Sequence, residues 1–282
     1  MYQCWVENEY GDSIELTNNK DYTVYQIDGL EPPTATINTS PVANFDGSRF
    51  NSSRSNERNI VLYLTIEGDV EENRIGLYTY IKSKRPIRFR YKNSARDVYI
   101  DGYVESMQIG FFDMKQAVQV SIICPYPLFK SSDRTMTDFS TVANAFIFPF
   151  AYEAAGAPFS TLAVGATKSI INGGDVENGV IIKMIASGLV LNPQIFNHSK
   201  NEYFRLNVEL SAGDEITINT NKSQKGIILT HNGDTSNIIN DMVRGSTWFQ
   251  LLTGDNVFSY GADEYPENLS CTFIYTDEFE GV

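Results

Sequence analysis

Between Asn172 and Asn256 the chain is cut at short intervals by turn-forming clusters, and this spacing restricts the fold more than any other feature. Asn172-Gly173-Gly174-Asp175, Ala212-Gly213-Asp214, His231-Asn232-Gly233-Asp234 and Thr253-Gly254-Asp255-Asn256 interrupt apolar runs too short for helices. Gly, Asn and Asp reverse a chain at low conformational cost, so such clusters delimit strands. Residues 180–185, 206–210, 216–218, 227–229 and 269–275 are the strands expected between them. Short strands at this interval predict an antiparallel β-sandwich or jelly roll. The 17 Phe and 16 Tyr supply side chains that strands favour.

The first half reads differently. Ile60, Leu62, Leu64 and Ile66 alternate with Val61, Tyr63 and Thr65, the period of a half-buried strand. Gly68 and Asp69 stop it. Asp69 followed by Glu72 has capping-box spacing, and Glu71 adds charge suited to a helix start. Ile75, Tyr78 and Ile81, with Leu77 beside them, predict the buried stripe. Lys82, Lys84 and Arg85 are expected at the helix end, with Pro86 as its stop. Ile87, Phe89 and Tyr91 then alternate with Arg88, Arg90 and Lys92, a strand with one basic face, and residues 96–103 and 117–123 add two more strands. One helix on a sheet makes an α+β unit.

Pro125-Tyr126-Pro127 ends the last of these strands. A polar stretch follows. Then come Phe146-Ile147-Phe148-Pro149-Phe150 and Ala154-Ala155-Gly156-Ala157-Pro158, which predict a connection packed against something, such as a neighbouring subunit. With 282 residues there is length for two domains, expected at 1–135 and 161–282, with 136–160 connecting them. The fold class is mainly β.

Charge narrows the partners. Residues 1–150 hold 15 basic and 19 acidic groups, a balance of −4, and residues 151–282 hold 7 and 16, a balance of −9. So acidic a second half repels nucleic acid and anionic membranes. The residues set at Lys82, Lys84, Arg85, Arg88, Arg90, Lys92 and Arg96 form the one concentrated basic stretch, better suited to an acidic protein surface than to DNA. Cys4, Cys124 and Cys271 are far apart and lack zinc-ligand spacing, so they read as reduced core residues. The N-terminal residues have no basic, apolar signal pattern, and no run of about 18 apolar residues predicts a membrane span.

Catalytic patterns are scarce. Gly11-Asp12-Ser13 resembles the nucleophile block of GDSL-type esterases, but that chemistry needs a His oriented by an acid in an Asp-x-x-His pattern. Ile195 and Ile228 stand three residues before His198 and His231, so a hairpin turn is the better reading. Glycoside-cleaving carboxylate pairs arise easily by chance among 35 acidic residues. Oxygen-bearing residues between Asn172 and Glu177 lack EF-hand spacing. Trp248 is a candidate sugar-stacking platform, with a core role as its alternative. No catalytic residue, metal or cofactor is expected.

The order of motifs resembles siphophage distal tail proteins. The resemblance runs through Gly29-Leu30-Glu31-Pro32-Pro33, the basic, polar stretch from Arg49 to Arg58, and Arg96-Asp97-Val98-Tyr99-Ile100-Asp101-Gly102. It continues through Gln119-Val120-Ser121-Ile122-Ile123-Cys124-Pro125-Tyr126-Pro127, Asn172-Gly173-Gly174-Asp175, Leu191-Asn192-Pro193 and Ser211-Ala212-Gly213-Asp214. It closes with Gly245-Ser246-Thr247-Trp248 and Phe279-Glu280-Gly281-Val282. The resemblance implies a structural virion protein at the tail tip, assembled in the host cytoplasm. It implies a self-assembled hexameric ring of N-terminal domains, with galectin-like β-sandwiches projecting outward. It implies as partners the tail tube protein, the tail-associated lysin or spike, and receptor-binding proteins, without specific nucleic-acid binding or membrane insertion. The polar loop from Asp46 to Glu57 resembles a tail-tube-type loop that would reach the next subunit; a solvated hairpin loop is its alternative. Arg49 and Arg54 in that loop, and Arg88 and Arg90 on the basic strand, are the candidate ring contacts. The alternatives are a carbohydrate-binding accessory of the baseplate recognising cell-wall glycan, and an envelope hydrolase built on Ser13.

Overall fold

The computed structural model describes residues 2–43, 46–111, 116–139, 142–144, 160–162 and 167–282. Two compact units emerge: Met1–Asp133 together with Glu278–Val282, and Arg134–Asp277. The apolar run from Phe146 to Phe150 and the small-residue run after it lie outside the described residues.

Unit 1 is built from β1 (Gln3–Asn8), β2 (Ser13–Glu15), β3 (Tyr22–Asp28), β4 (Ala35–Pro41), β5 (Ser48–Ser55), β6 (Arg58–Ile66), α1 (Val70–Tyr80), β7 (Pro86–Lys92), β8 (Asp97–Ile109), β9 (Ala117–Cys124) and β10 (Phe129–Ser131). Its main sheet runs β2-β1-β7-β8-β9-β6-β3, and a short strand, Glu278–Phe279, joins it through β10. The alternation predicted for 60–66 is realised: Ile60, Leu62, Leu64 and Ile66 are buried against Val118, Val120 and Ile122 of β9. β8 continues to Ile109, beyond the expected strand, with a bulge between Val104 and Ser106 that shifts its register on β9.

The helix starts as its sequence predicts. Asp69 caps it, accepting a hydrogen bond from the Glu72 amide at 3.3 Å. Its end differs. Ile81 turns extended at φ −114°, ψ 100°, and its N–H returns to the Leu77 carbonyl, so Pro86 begins β7 rather than stopping the helix. Lys82, Lys84 and Arg85 therefore lie past the last turn. The expected stripe is also narrower: Leu77 and Ile81 are buried, while Ile75 is 59% exposed. The sheet covers little more than one position per helical turn.

Unit 2 comprises β11 (Thr135–Asp138), β12 (Val142–Asn144), β13 (Ser160–Leu162), β14 (Lys168–Asn172), β15 (Ile181–Ala186), β16 (Val190–Leu191), β17 (Gln194–Asn197), β18 (Glu202–Arg205), β19 (Glu209–Leu210), β20 (Glu215–Asn219), β21 (Gly226–His231), β22 (Asp234–Asn237), β23 (Gly254–Gly261) and β24 (Leu269–Tyr275). One sheet has the order β11-β24-β15-β20-β21-β22 and another β14-β23-β17-β18, with the small pairs β12-β13 and β16-β19 apart. Both large sheets contribute to a single core. Ile182, Met184, Ile216 and Phe273 from one meet Ile170, Ile195, Phe204 and Phe258 from the other. The Phe258 and Phe273 rings lie 5.0 Å apart, and Phe139 packs on Phe273 at 4.7 Å. This is the predicted β-sandwich, and the fold as a whole is mainly β.

The turn clusters work as expected. Gly213, Asn232, Gly233 and Gly254 all have positive φ. Asn172 is buried and holds its own turn together: its amide donates to the Val176 and Leu251 carbonyls, and its Oδ1 accepts from Gly174. Cys4, Cys124 and Cys271 are free, buried thiols. Burial pushes Cys4 and Cys124 up to about 12, so their protonated form persists.

Candidate functional site

The most unusual element of unit 1 is the ribbon β4–β5. Every residue of β5 is exposed, and β4 is nearly so. The polar loop expected from Asp46 to Glu57 is thus mostly strand. Sequence periodicity missed it because neither face is buried, so no alternation of apolar and polar residues arises. The two strands pair from Ala35↔Ser55 to Pro41↔Ser48, with a bulge at Asn51 that skips one residue of β5.

Cross-strand pairing sorts the ribbon into two faces. Thr36↔Arg54, Asn38↔Ser52 and Ser40↔Arg49 share one face, which is polar. Asn38 Nδ2 donates to Ser52 Oγ there at 3.0 Å. Ala35, Ile37, Thr39 and Pro41 share the other with Phe50. Ile37 is 56% and Phe50 60% exposed. Arg49 and Arg54 therefore share the face opposite these apolar side chains, against Ser40 and Thr36.

The ribbon is anchored at its base. The Asn56 amide donates to the Thr34 carbonyl at 2.8 Å, and Thr36 Oγ1 to Asn56 Oδ1 at 2.7 Å. Just beyond lies Arg58, which ends the stretch read as a basic, polar loop yet is only 3% exposed. Its guanidinium donates to the carbonyls of Pro127, Gly29, Glu31 and Glu280 and stacks over Phe129. Sequence reading had a hint of this, since Arg58 opens the strongly apolar run of β6.

Arg88 and Arg90 are positioned by β7 as expected, alternating with buried Ile87 and Phe89. Both already have intramolecular partners. Arg88 Nε donates to Asp101 Oδ1 at 2.7 Å, and its guanidinium lies over Tyr99. Arg90 grips Asp97 with two bonds, of 2.8 and 2.7 Å, and lies over Trp5. Lys92 and Ser132 also reach Asp97. The Arg90 hydrogen bonds, outweighing burial and helped by Ser132 and Lys92, hold the Asp97 carboxyl well below the usual carboxylate range. The strand that reads as basic in one dimension is largely neutralised in three.

The other candidates are structural. Gly11 has φ +87° in a tight turn closed by the bond from the Asn8 amide to the Asp12 carbonyl, and Ser13 is exposed on the following strand. His198 and His231 belong to unit 2, bonded to Ser259 and Asp214 at 2.7 and 2.6 Å. Trp248 is half-buried, edge-on to Phe204 at 5.5 Å, with Lys225 Nζ 5.7 Å from its ring. Its neighbours Phe249 and Leu251 are fully buried. Among the described residues no His, Cys, Asp or Glu cluster could hold a metal, and no helix is long and apolar enough to cross a membrane.

Comparison with known proteins agrees with this arrangement. Residues 10–124 match the family of the phage tail protein RIFT-related domain, and residues 173–279 that of the siphovirus-type tail component, C-terminal domain. The crystal structure of the Dit protein of phage SPP1, described as a paradigm of the hub adsorption apparatus in phages infecting Gram-positive hosts, superposes with a TM-score of 0.70. The identity is 13%, and 99% of each chain is covered. The phage P2 baseplate in its activated conformation with Ca gives a TM-score of 0.57 at 14% identity over 100% of both chains. Its counterpart with Sr gives 0.54 at 12% identity and 98% coverage of each. At such identities these likenesses speak for the fold. A comparison with curated protein sequences finds no match.

Fold and family matches together define a structural protein of the phage tail rather than an enzyme. The two family matches, one after the other along residues 10–124 and 173–279, make the chain a siphovirus Dit-type tail component.

Proposed function

We propose that this chain forms a hexameric hub ring at the virion tail tip through unit 1, and that the β4–β5 ribbon is the arm by which each copy holds the next. The observation that carries this reading is the ribbon itself. A two-stranded hairpin is at best marginally stable alone in water. Here one keeps Ile37 and Phe50 on a single exposed face. Contact with a second copy would bury that face and cover the free strand edges. Arg49 and Arg54, on the opposite face, would meet carboxylates of an adjoining surface. Arg88 and Arg90 would contribute at the rim, where a neutralised pair adds more specificity than affinity.

A ring so built would join the tail tube protein on one side to the tail-associated lysin or spike on the other. Unit 2, with its acidic balance, would offer surface to receptor-binding proteins. Glycan stacking on Trp248 finds less support, since Phe204 and Lys225 already occupy that ring.

Light scattering on a sizing column at high protein concentration, followed by negative-stain imaging, tests the reading. A hexamer-sized peak with six-fold rings, lost in the Ile37→Asp/Phe50→Asp variant, is the expected result. Rings unaffected by that variant would remove the arm from the interface. A strict monomer at every concentration would remove self-assembly of the isolated chain.

A further inference from the structure

The segment 278–282 comes after the whole of unit 2 in the chain, yet it folds back into unit 1 at the root of the arm. Phe279 pairs with Phe129 of β10, and Tyr126 donates to Glu278 Oε2 at 2.5 Å. Arg96 lies over the Phe279 ring and donates to the Gly281 carbonyl. The Val282 amide donates to the Leu30 carbonyl at 3.1 Å. Gly281 sits so close to the root that a Cβ there would lie 3.1 Å from the Leu30 oxygen and 3.2 Å from Pro32 Cδ.

Arg58 joins these parts. Its Nη1 donates to Gly29 and Glu31, in the connection entering the arm, at 2.5 and 2.6 Å. Its Nη2 donates to Glu280 in the returning segment at 2.5 Å. Arg58 itself lies two residues past Asn56, where the arm comes back. One buried cation thus ties the arm's entry, its exit and the returning segment together. Gly29 fixes the entry further: it has φ +87°, and a Cβ there would fall 2.2 Å from the Asn59 carbonyl oxygen.

We propose that residues 278–282 and Arg58 act as positioning elements that set the direction of the arm, so that ring assembly waits until unit 2 has been made. This rests on the reading of β4–β5 as the assembly arm. The physical argument is leverage. Strands of this length reach about 25 Å, so a rotation of about 10° at the root moves the tip by about 4 Å. Ring closure needs the same arm direction in every copy, and such a spread defeats it. Without the returning segment, the Gly29–Pro33 root loses the Val282 bond and the Gly281 contact, and Arg58 loses one of its acceptors. The segment's other contacts in unit 1 fall on β10, Tyr126 and Arg96 rather than on β6 or β9, so those two strands are expected to survive while the root loosens.

The experiment compares wild type with two segment variants, Gly281→Leu and a chain ending at Asp277, and with the arm control Ile37→Asp/Phe50→Asp. Amide hydrogen exchange is read in dilute monomer at residues 56–58, where the Asn56 amide closes the base of the arm on the Thr34 carbonyl, against the rest of β6 and β9 as an internal fold standard. Oligomer fraction is read separately by light scattering. The expected result is at least tenfold faster exchange at the root in both segment variants, unchanged exchange in β6 and β9, and loss of rings. Wild-type exchange at the root would overturn the proposal. So would uniform loss of protection across unit 1, which would make the segment a general staple, or rings persisting with a loosened root. Rings formed by the arm control would overturn the arm reading and, with it, the assembly half of this proposal. The root-exchange half is decided in the monomer in either case.

Discussion

The guanidinium of Arg58 and the main-chain carbonyl of Glu280 lie 2.5 Å apart although 222 positions separate them in the chain. This bond is one of four that Arg58 makes to carbonyl oxygens inside unit 1. Burial lowers the pKa of this arginine, but the group remains charged at any relevant pH. Arg58→Met would fill similar volume and leave four carbonyl acceptors, two of them in exposed residues, without this donor. At about 1–3 kcal/mol for each group left unpaired, and with partial rescue by water, the expected loss is about 3 kcal/mol or more. Denaturant unfolding checks this. Arg58→Lys should recover only part of the loss, because an ammonium cannot reproduce the planar fork.

The four candidate arginines should separate into two pairs. Arg49→Glu/Arg54→Glu changes exposed arm residues and is expected to leave thermal stability within about 0.5 kcal/mol while reducing ring formation. Arg88→Glu/Arg90→Glu sets glutamates against Asp101 and Asp97, and should first destabilise the monomer by about 1 kcal/mol. Light scattering and thermal melts on both variants make the comparison. Equal stability loss in both pairs would contradict it.

Acid should weaken unit 1 through Asp97. Its folded pKa lies below its unfolded value of about 4, so the fold prefers the carboxylate. That stabilisation is complete above the unfolded pKa and declines as pH falls from there toward the depressed folded value. Wild type and Asp97→Asn should therefore differ in melting temperature at pH 7, with the gap beginning to narrow only below about pH 4 and narrowing further toward the depressed folded value. A gap that stays constant down to pH 2 would assign the stabilisation elsewhere.

The sandwich core has its densest aromatic contact where Phe258, Phe273 and Phe139 meet. Phe273→Ala would empty a fully buried site flanked by both sheets, at a cost of about 3–5 kcal/mol. The loss should appear in unit 2. Exchange protection in β15, β20 and β24 should fall while β6 and β9 of unit 1 keep theirs.

Cys4, Cys124 and Cys271 should resist alkylation in the folded protein. All three are buried, and burial raises each thiol's pKa. Iodoacetamide at pH 8 should label none of them within the time that labels all three in denaturant. Rapid modification of one in native protein would reveal local opening of its strand.

Where burial imposed a period, the sequence was readable. The alternation of Ile60, Leu62, Leu64 and Ile66 predicted β6, the Asp69–Glu72 spacing predicted the start of α1, and the Gly213 and Asn232-Gly233 turns predicted the hairpins of the sandwich. Elsewhere the same logic misled. Ile75 looks like a core residue because its spacing is helical, but the sheet does not extend beneath it. The arm has no buried face and so no pattern, and Arg49 and Arg54 looked like loop residues.

The sequence by itself determined the mainly β character, the one helix and its cap, the sandwich of the second half, the buried thiols and the tail-protein motifs. Those features are written in local periodicity, turn chemistry and motif order. Only the tertiary structure decided that Arg58 is a core cation, that Asp97 and Asp101 neutralise the basic strand, that Ile37 and Phe50 share a face across a bulge, and that residues 278–282 return to unit 1. Each of these depends on pairing between distant segments. Such pairing is set by strand register and by the need to satisfy every buried donor and acceptor, and no window along the chain contains it.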